Sequence, residues 1–426
     1  MTPLDRNAFD RAVDGSPSWL ADRRREGFDH FEKLAMPSER EENWRYIDLD
    51  FEIRDLAIAD RPGDLDEGPG LIADLGTPVG SARIADGHVV SVGGGGSALV
   101  TSARDAAREH EELAAPVLST GIAADLDVFA AAHRAFSNGG VFIHVPARTV
   151  VDGPIVVDVS ASVAGCISFP QITVVAGESS EISVVVRYHS PDGVALWVVP
   201  HIEVAGGANA TIKLTTIQNW GDTTMAFAHQ RLIAGIDTSL HFAEAGLGGQ
   251  LSRLHLMVDL QGRGSRAEIL GAYFGDRNQI LDYRYFMRHA GPSTSSDMFL
   301  KGAVEDDALS VFTGMIRIEE EAQKTNAFQT NRNLILSEGA AAQSVPNLEI
   351  LANDVRCGHG STVGPLDPEQ RYYLTSRGLT PERADRLQVT GFFNQVLARF
   401  PEPAVATRVA NAITAKYVTA QEEGRV

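Results

Sequence analysis

The stretch "VAGESSEISVVVRYH", residues 175–189, decides the fold. Its opening returns as "GGANATI", "GIDTSL" and "GSRAEI", each with a small or hydroxyl residue three positions after a glycine and an aliphatic residue five positions after it. The glycines are Gly177, Gly207, Gly235 and Gly264, at intervals of 30, 28 and 29 residues. A near-constant period in strand-rich sequence predicts a β-solenoid, because each turn buries its aliphatic residues against its neighbours. A β-sandwich with turns at chance intervals is the alternative.

The region around these repeats has the composition of strands. Residues 141–364 contain short runs rich in Val, Ile, Thr and aromatics, such as "PIVVDVS" and "TIKLTTI", separated by Gly, Asn, Asp and Ser. No long amphipathic helix interrupts them, which argues against βαβ units. We therefore predict a mainly β protein with its solenoid core at residues 116–364. An N-terminal helical or mixed region (1–115) and a C-terminal helical region (365–426) flank the core.

Local signals predict elements within the flanks. Five residues fall at helical spacing and are expected to be buried: Trp19, Leu20, Phe28, Phe31 and Leu34. Asp86-Gly87 predicts a hairpin turn, and Asn138-Gly139 predicts the C-terminal cap of a helix.

Three helices are expected after Pro365. Asp367 and Thr380 are N-cap residues, each followed by a proline at the first helical position. The second helix has an apolar stripe that includes Leu387. The third helix has its buried face at four residues spaced four apart: Val405, Val409, Ile413 and Tyr417.

Composition limits the classes of function. The chain has 426 residues, 44% of them hydrophobic, and its formal charge is −19 from 37 basic and 56 acidic residues. An acidic chain is a poor ligand for nucleic acid, which needs a basic face. There is no apolar run of membrane-spanning length and no secretory h-region. Two cysteines fit a reducing compartment, so we expect a cytoplasmic protein with neither membrane nor nucleic-acid partners.

One of these cysteines stands beside a histidine in "DVRCGHGSTVG", residues 354–364. On an extended segment Cys357 and His359 would point to the same side, and an imidazolium there would lower the thiol pKa. A closed metal site needs four ligands, and only Cys166, expected to be a buried apolar residue, offers another thiol. A nucleophilic pair needs an orienting third group, which the sequence does not show. A structural turn, or a site that another chain completes, remains.

A carbohydrate-active enzyme is the rival function for a β-solenoid. It needs two or more carboxylates that converge on one face. The available residues are Asp282, Glu305, Asp306, Asp307 and Glu349, and their spacing gives no sign of convergence.

An amide-rich segment, "QKTNAFQTNRNLIL", occupies residues 323–336. In a solenoid such amides form hydrogen-bonded ladders at turns. A binding strip is the functional alternative.

The segment 346–379, "PNLEILANDVRCGHGSTVGPLDPEQRYYLTSRGL", resembles the segment shared by SufD proteins, which are relatives of SufB in the SUF iron–sulfur cluster assembly scaffold. "QKTNAFQTNRNLILSE", "NGGVFIHVPARTVVDGPI" and "EENWRYIDL" are also similar to family segments, so the resemblance covers most of residues 38–400. Ile280 stands where the family often has histidine. The scarcity of cysteine favours SufD over SufB.

The resemblance implies a right-handed parallel β-helix and a non-catalytic scaffold subunit. It implies a heterodimer with SufB and an ATPase, SufC, held by the C-terminal helices. A homodimer is left open as an alternative for the isolated chain. A purely structural partner of an ATPase is the third function in play. No stably bound cofactor is expected, and a transient iron–sulfur cluster would lie at the SufB interface.

The resemblance also implies roles for individual residues. Cys357 and His359 match the family's C-x-H-G motif and become candidate ligands of a transient metal site shared with SufB. Five residues of the C-terminal helices become candidate contacts of SufC: Tyr373, Arg377, Phe392, Phe393 and Val396.

Overall fold

The computed structural model describes residues 1–65, 68 and 70–425. The strands before the repeats are β1 (Thr2–Pro3), β2 (Ala57–Ile58), β3 (Gly80–Ala85), β4 (His88–Gly94), β5 (Leu99–Ser102), β6 (Gly140–Val145), β7 (Val150–Ser160), β8 (Ile167–Ser168) and β9 (Gln171–Ala176). The next strands are β10 (Glu181–His189), β11 (Leu196–Val198), β12 (His201–Gly206), β13 (Thr211–Asn219), β14 (Thr224–Ala234), β15 (Ser239–Gly246) and β16 (Leu251–Leu260). The last are β17 (Arg266–Gly275), β18 (Ile280–His289), β19 (Ser295–Val304), β20 (Leu309–Ile318), β21 (Asn326–Ile335), β22 (Ala341–Ile350) and β23 (Arg356–Gly364).

The helices lie at both ends of the sequence. They are α1 (Arg6–Val13), α2 (Ser18–Lys33), α3 (Ala103–Glu109), α4 (Glu111–Ala114), α5 (Val128–Phe136), α6 (Pro368–Ser376), α7 (Pro381–Leu397) and α8 (Pro403–Glu422). Short 3-10 turns lie at Glu42–Trp44, Ile53–Asp55 and Gly70–Ile72. Among the described residues, no helix is both long and apolar enough to cross a membrane.

The strands form a parallel β-helix of about eight coils. Sheet 1 has the order β23-β21-β19-β17-β15-β13-β10-β7-β3-β4, and sheet 2 has the order β22-β20-β18-β16-β14-β12-β9-β6-β5. Successive strands within each sheet are parallel, except that β4 and β5 join antiparallel at the N-terminal end. The chain therefore alternates between two stacked sheets. This confirms the β-helix and excludes the sandwich, whose sheets are antiparallel.

The repeat is real, but one of its glycines is not the one that the spacing indicated. Ile182, Ile212, Leu240 and Ala267 stand side by side in sheet 1. The glycine five residues before Ala267 is Gly262, where a Cβ would lie 2.1 Å from the backbone of the preceding coil. Gly264 instead has a φ of +74°, the left-handed conformation that Ser179, Asn209 and Asp237 adopt in their coils. Gly262 therefore allows close packing on the preceding coil, and Gly264 allows the left-handed turn.

Helices cover the outer face of each sheet. α1, α2 and α5 pack on sheet 2, where the rings of Phe129 and Phe227 stack with centroids 4.0 Å apart. α7 and α8 pack on sheet 1, and the predicted buried face of α8 is confirmed. Leu20, Phe28 and Phe31 are buried, as expected, whereas Trp19 and Leu34 are only partly buried. The division at residues 115 and 364 stays a prediction.

Two local predictions were wrong. Leu387 does not belong to the buried stripe of α7, since 51% of it is exposed. α5 ends before Ser137, whose backbone N–H caps it, and Asn138-Gly139 is not its cap. Gly139 is needed because a Cβ there would lie 2.0 Å from the carbonyl oxygen of Gly87, in the confirmed Asp86-Gly87 hairpin turn.

Candidate functional site

The last coil of the β-helix brings the cysteine and the histidine to one side of a strand. β23 forms one edge of sheet 1 and pairs only with β21, with Cys357 beside Ala327 and His359 beside Gln329. Ala327 and Gln329 are buried in the interior of the helix, called the lumen below. Cys357 and His359 therefore face the lumen side too, about 6.5 Å apart along the strand.

The two side chains differ in burial. Cys357 is half-buried and packs against the lumen core, whereas His359 is exposed. Burial raises the pKa of the Cys357 thiol above its ordinary value, and a hydrogen bond from the Gly358 backbone partly offsets this. The expected lowering of the thiol pKa by a neighbouring imidazolium is therefore wrong, because desolvation dominates.

The pair is not a complete metal site. Within the described part of the chain, no cluster of three or more His, Cys, Asp or Glu residues has a geometry that could hold a metal ion. Cys166 lies elsewhere and is buried to 3% exposure, as expected of an apolar residue. Cys357 and His359 thus provide at most two ligands from this chain.

The lumen behind the pair is polar. Asn331 donates to the hydroxyl of Tyr273 at 2.9 Å, and this hydroxyl donates to Asn333 at 2.6 Å. Asn333 in turn donates to Asn331 at 2.7 Å, so the amides of β21 form a network with β17, which lies two strands away in sheet 1. Gln329 Oε1 is buried without a partner. The amide-rich segment is therefore a lumen network beneath the site and not a ladder at turns.

Exposed apolar side chains surround the open end. Five large ones lie on or next to the last coil: Phe328, Val345, Ile350, Leu351 and Val363. Phe328 packs over Gly358, where an added Cβ would lie 3.0 Å from its ring. The sequence analysis did not identify this surface. Alternation of apolar and polar residues along β22 and β23 predicts one buried face, and it does not show whether a further coil is present to cover that face.

The C-terminal helices divide the SufC candidates into two groups. Tyr373 is 57% exposed on α6, and the guanidinium of Arg377 lies 5.2 Å from its ring centroid. Phe393 and Val396 are buried between α7 and sheet 1. The ring centroid of Phe392 lies 4.1 Å from the ammonium nitrogen of Lys301. α6 itself has no buried residue. Its neighbour Tyr372, 77% exposed, is a further surface aromatic that sequence reasoning did not select.

The carboxylates considered for sugar chemistry are held in separate ion pairs. Asp282 is fully buried between Arg253 and Arg284 on the outer face of sheet 2. Glu349 pairs with Arg317 on β20 at 3.0 Å.

The remaining acids lie at the turn between β19 and β20. Glu305 and Asp306 share Arg425, and burial raises the pKa of Glu305 to about 8. Asp307 lies against Gly339. Glu305 and Asp306 are held in ion pairs with Arg425, and Asp307 is held by its packing contact. They do not form a common cleft with Asp282 and Glu349.

Comparison with known proteins assigns the class. Residues 159–392, more than half of the chain, match the SufBD core domain of SUF-system FeS cluster assembly. The chain therefore belongs to the SufBD family of iron–sulfur cluster assembly proteins.

Individual relatives place it more closely. It is 34% identical over 292 residues to an iron–sulfur cluster assembly SufBD family protein of Mycobacterium tuberculosis, covering 66% of this chain and 72% of that protein. It is 29% identical over 323 residues to the iron–sulfur cluster assembly protein SufD of Bacillus subtilis, covering 75% and 74%. The chloroplastic protein ABCI7 of Arabidopsis thaliana is 28% identical over 283 residues, 64% and 59% of the two chains. The resemblance to SufD is confirmed.

Proposed function

We propose that this chain is a non-catalytic scaffold subunit that acts with SufB and the ATPase SufC, and that its open end forms half of a transient cluster site. The observation that carries the proposal is the position of Cys357 and His359 on the lumen side of a terminal coil that no further coil covers. In this proposal the cytoplasm is the place of action, and the nascent cluster is cargo and not a resident cofactor.

The edge of sheet 1 offers SufB a strand to pair with. β23 is nine residues long, contains no proline and has one unpaired edge. An exposed edge strand of this kind recruits another strand through its free backbone groups. β22 contains Pro346, which lacks a backbone donor, so β23 is the better edge for pairing. In isolation a second copy of this chain would occupy the same edge.

A shared site suits cluster assembly. An iron–sulfur cluster takes about four protein ligands, so two from this chain leave the rest to SufB. Metal binding requires the Cys357 thiolate, and its raised pKa means that iron must displace a proton that burial favours. Such a site holds its cargo weakly at neutral pH, which fits a cluster that has to leave.

α6 connects this site to the ATPase. It begins at Pro368, only a few residues after β23 ends at Gly364, and Tyr373 and Arg377 are on its surface. α7 is fixed to sheet 1 by Phe393. SufC docked on α6 would therefore move β23 more easily than the rest of the helix.

Co-expression with SufB and SufC tests the two surfaces separately. Val363→Lys places a charge at the open end and is expected to release SufB while SufC stays bound. Arg377→Glu combined with Tyr373→Ala is expected to release SufC while SufB stays bound.

Co-purification of each variant with both partners gives the readout. Retention of both partners by both variants would contradict the proposed surfaces. Binding of SufC without any SufB would favour the purely structural partner of an ATPase.

A further inference from the structure

A small, partly open cavity of about 30 Å³ lies near the other end of the β-helix. It is formed by the segment before α2, by α2 and α3, and by the loop that leads into β6. β6 is next to the last strand of sheet 2 at the N-terminal end of the stack, so the cavity is remote in the coil order from Cys357 and His359.

Three arginines line the cavity, and two of them donate to carbonyl groups. Arg24 Nη1 donates to the carbonyl oxygen of Ser137 at 2.6 Å, and Arg108 donates to that of Gly15 at 2.7 and 3.0 Å. Arg104 is the third. Among the residues that the structure describes, no carboxylate belongs to the lining. Carbonyl partners satisfy hydrogen bonds but leave the positive charges uncompensated.

Arg24 is partly buried, whereas Arg104 and Arg108 are exposed. The Nε of Arg24 is buried and has no hydrogen-bond partner among the described residues, so this donor is available to a bound group. Burial, and the charge of Arg104 after it, lower the pKa of Arg24 to about 10, so the guanidinium is charged at neutral pH. Glu203, which lies nearby, accepts from the backbone of Ser119 and from the side chain of Gln171, and stands outside the lining.

The start of α2 adds a second source of positive potential. Ser16 and Pro17 line the cavity, and the helix begins at Ser18 with no side chain capping it. The first N–H groups of a helix have no partner within the helix and carry the positive end of its dipole. An anion in the cavity would compensate both the arginines and this helix start.

We propose that this cavity binds a phosphate group, either as inorganic phosphate or as the end of a small phosphate monoester. Arg24 supplies the buried Nε donor, and Arg104 and Arg108 close the site from the surface side. Guanidinium groups suit phosphate because their planar donors match its oxygens in pairs. A wider groove of about 620 Å³ continues from Arg104 past Asn138 to Arg11 and has room for the rest of an ester.

Isothermal titration of the full chain with inorganic phosphate and, in parallel, with adenosine 5′-monophosphate tests the site. We expect saturable one-to-one binding that Arg24→Gln weakens about tenfold or more, since hydrogen bonds to charged groups contribute that much. Arg25→Gln is the matched control, because Arg25 is the next residue on α2 but is exposed and paired with Asp22. It is expected to bind as the wild type does. Tighter binding of the nucleotide assigns an ester, and equal or weaker binding assigns inorganic phosphate.

Two results would overturn the site. One is the absence of saturable phosphate binding by the wild type. The other is an equal loss of affinity in Arg24→Gln and Arg25→Gln, which would indicate only general surface charge. If Arg24→Gln fails to fold, Arg104→Gln carries the test, because that side chain is exposed and exposed substitutions usually change stability little. Its binding is expected to fall about threefold to tenfold, and unchanged binding would also overturn the site.

Discussion

The last two strands of sheet 1 pair in register but differ in how far their lumen-side residues are buried. β21 and β23 pair residue by residue, with Ala327 beside Cys357 and Gln329 beside His359. Ala327 and Gln329 are 0% and 1% exposed, whereas Cys357 is half-buried and His359 is exposed. In the described structure β21 has a strand on both sides, whereas β23 has one on a single side. A coil of a β-helix is buried by its neighbour, so the lumen side of β23 is left partly open where the described coils end.

The N-terminal end of the β-helix has edge strands of a different kind. There the parallel order stops at β4 and β5, which join their sheets antiparallel. An antiparallel edge does not continue the coil order, and so it blunts the end against further stacking. Within the described residues the C-terminal end stops in parallel register without such a strand, so the backbone groups on one edge of β23 are unpaired.

The largest expected effect comes from replacing leucine by alanine in an inner coil and, for comparison, in the last coil. Leu300→Ala empties a fully buried lumen position on β19 and is expected to lower the free energy of unfolding by about 3–4 kcal/mol. Leu348→Ala, at a partly buried lumen position on β22, should cost about 1–2 kcal/mol. Urea denaturation measures both. Equal costs would contradict the difference between inner and terminal coils, and a bound partner should increase the cost at Leu348.

The covered outer face of sheet 2 predicts a pH effect. The ring of His201 stacks on His133 with centroids 3.4 Å apart, and burial lowers the pKa of His133 to about 3 and that of His201 well below its ordinary value. Below about pH 6.5 the unfolded chain binds protons that the folded chain does not. The free energy of unfolding therefore decreases as the pH is lowered. His201→Phe should therefore reduce the loss of stability between pH 7 and pH 5 by about 2 kcal/mol.

Urea denaturation at the two pH values checks this effect. The control is Ile202→Val, the next residue on β12, which adds no titrating group and should lower stability equally at both values. An unchanged pH dependence in His201→Phe would show that this ring is not held neutral.

A smaller effect separates the two thiols. Cys357 at the open end should react with Ellman's reagent in the folded chain, slowly because burial raises its pKa, whereas Cys166 should react only after unfolding. Cys357→Ala is the control and should leave no reactive thiol in the folded chain. Binding of SufB should protect Cys357. Equal reactivity of both thiols would contradict the assigned burial.

The period of the repeat was enough to predict the β-helix, and i, i+2 spacing was enough to place Cys357 and His359 on one side of a strand. The choice between Gly262 and Gly264 was not accessible, because both glycines fit the local pattern. Only contact with the preceding coil decides which of them packs and which one turns.

The C-terminal helices show a second limit. The apolar residues Phe393 and Val396 form a stripe that suits a partner surface and a buried anchor equally well, and only the position of α7 on sheet 1 separates the two. The position of Cys357 and His359 on one side of a strand was predictable, and their role as metal ligands stays a prediction. Within the described part of this chain, no group of three or more potential metal ligands is present.

Anaerobic reconstitution with iron and sulfide of the complex with SufB and SufC tests the central claim most directly. His359→Ala removes the exposed imidazole from the lumen side of β23, and Thr362→Ala alters the opposite side of the same strand as the control. With both complexes intact, the account predicts that His359→Ala loses most of the cluster absorbance while Thr362→Ala keeps it. Full cluster formation by His359→Ala in an intact complex would contradict a site shared at this open end.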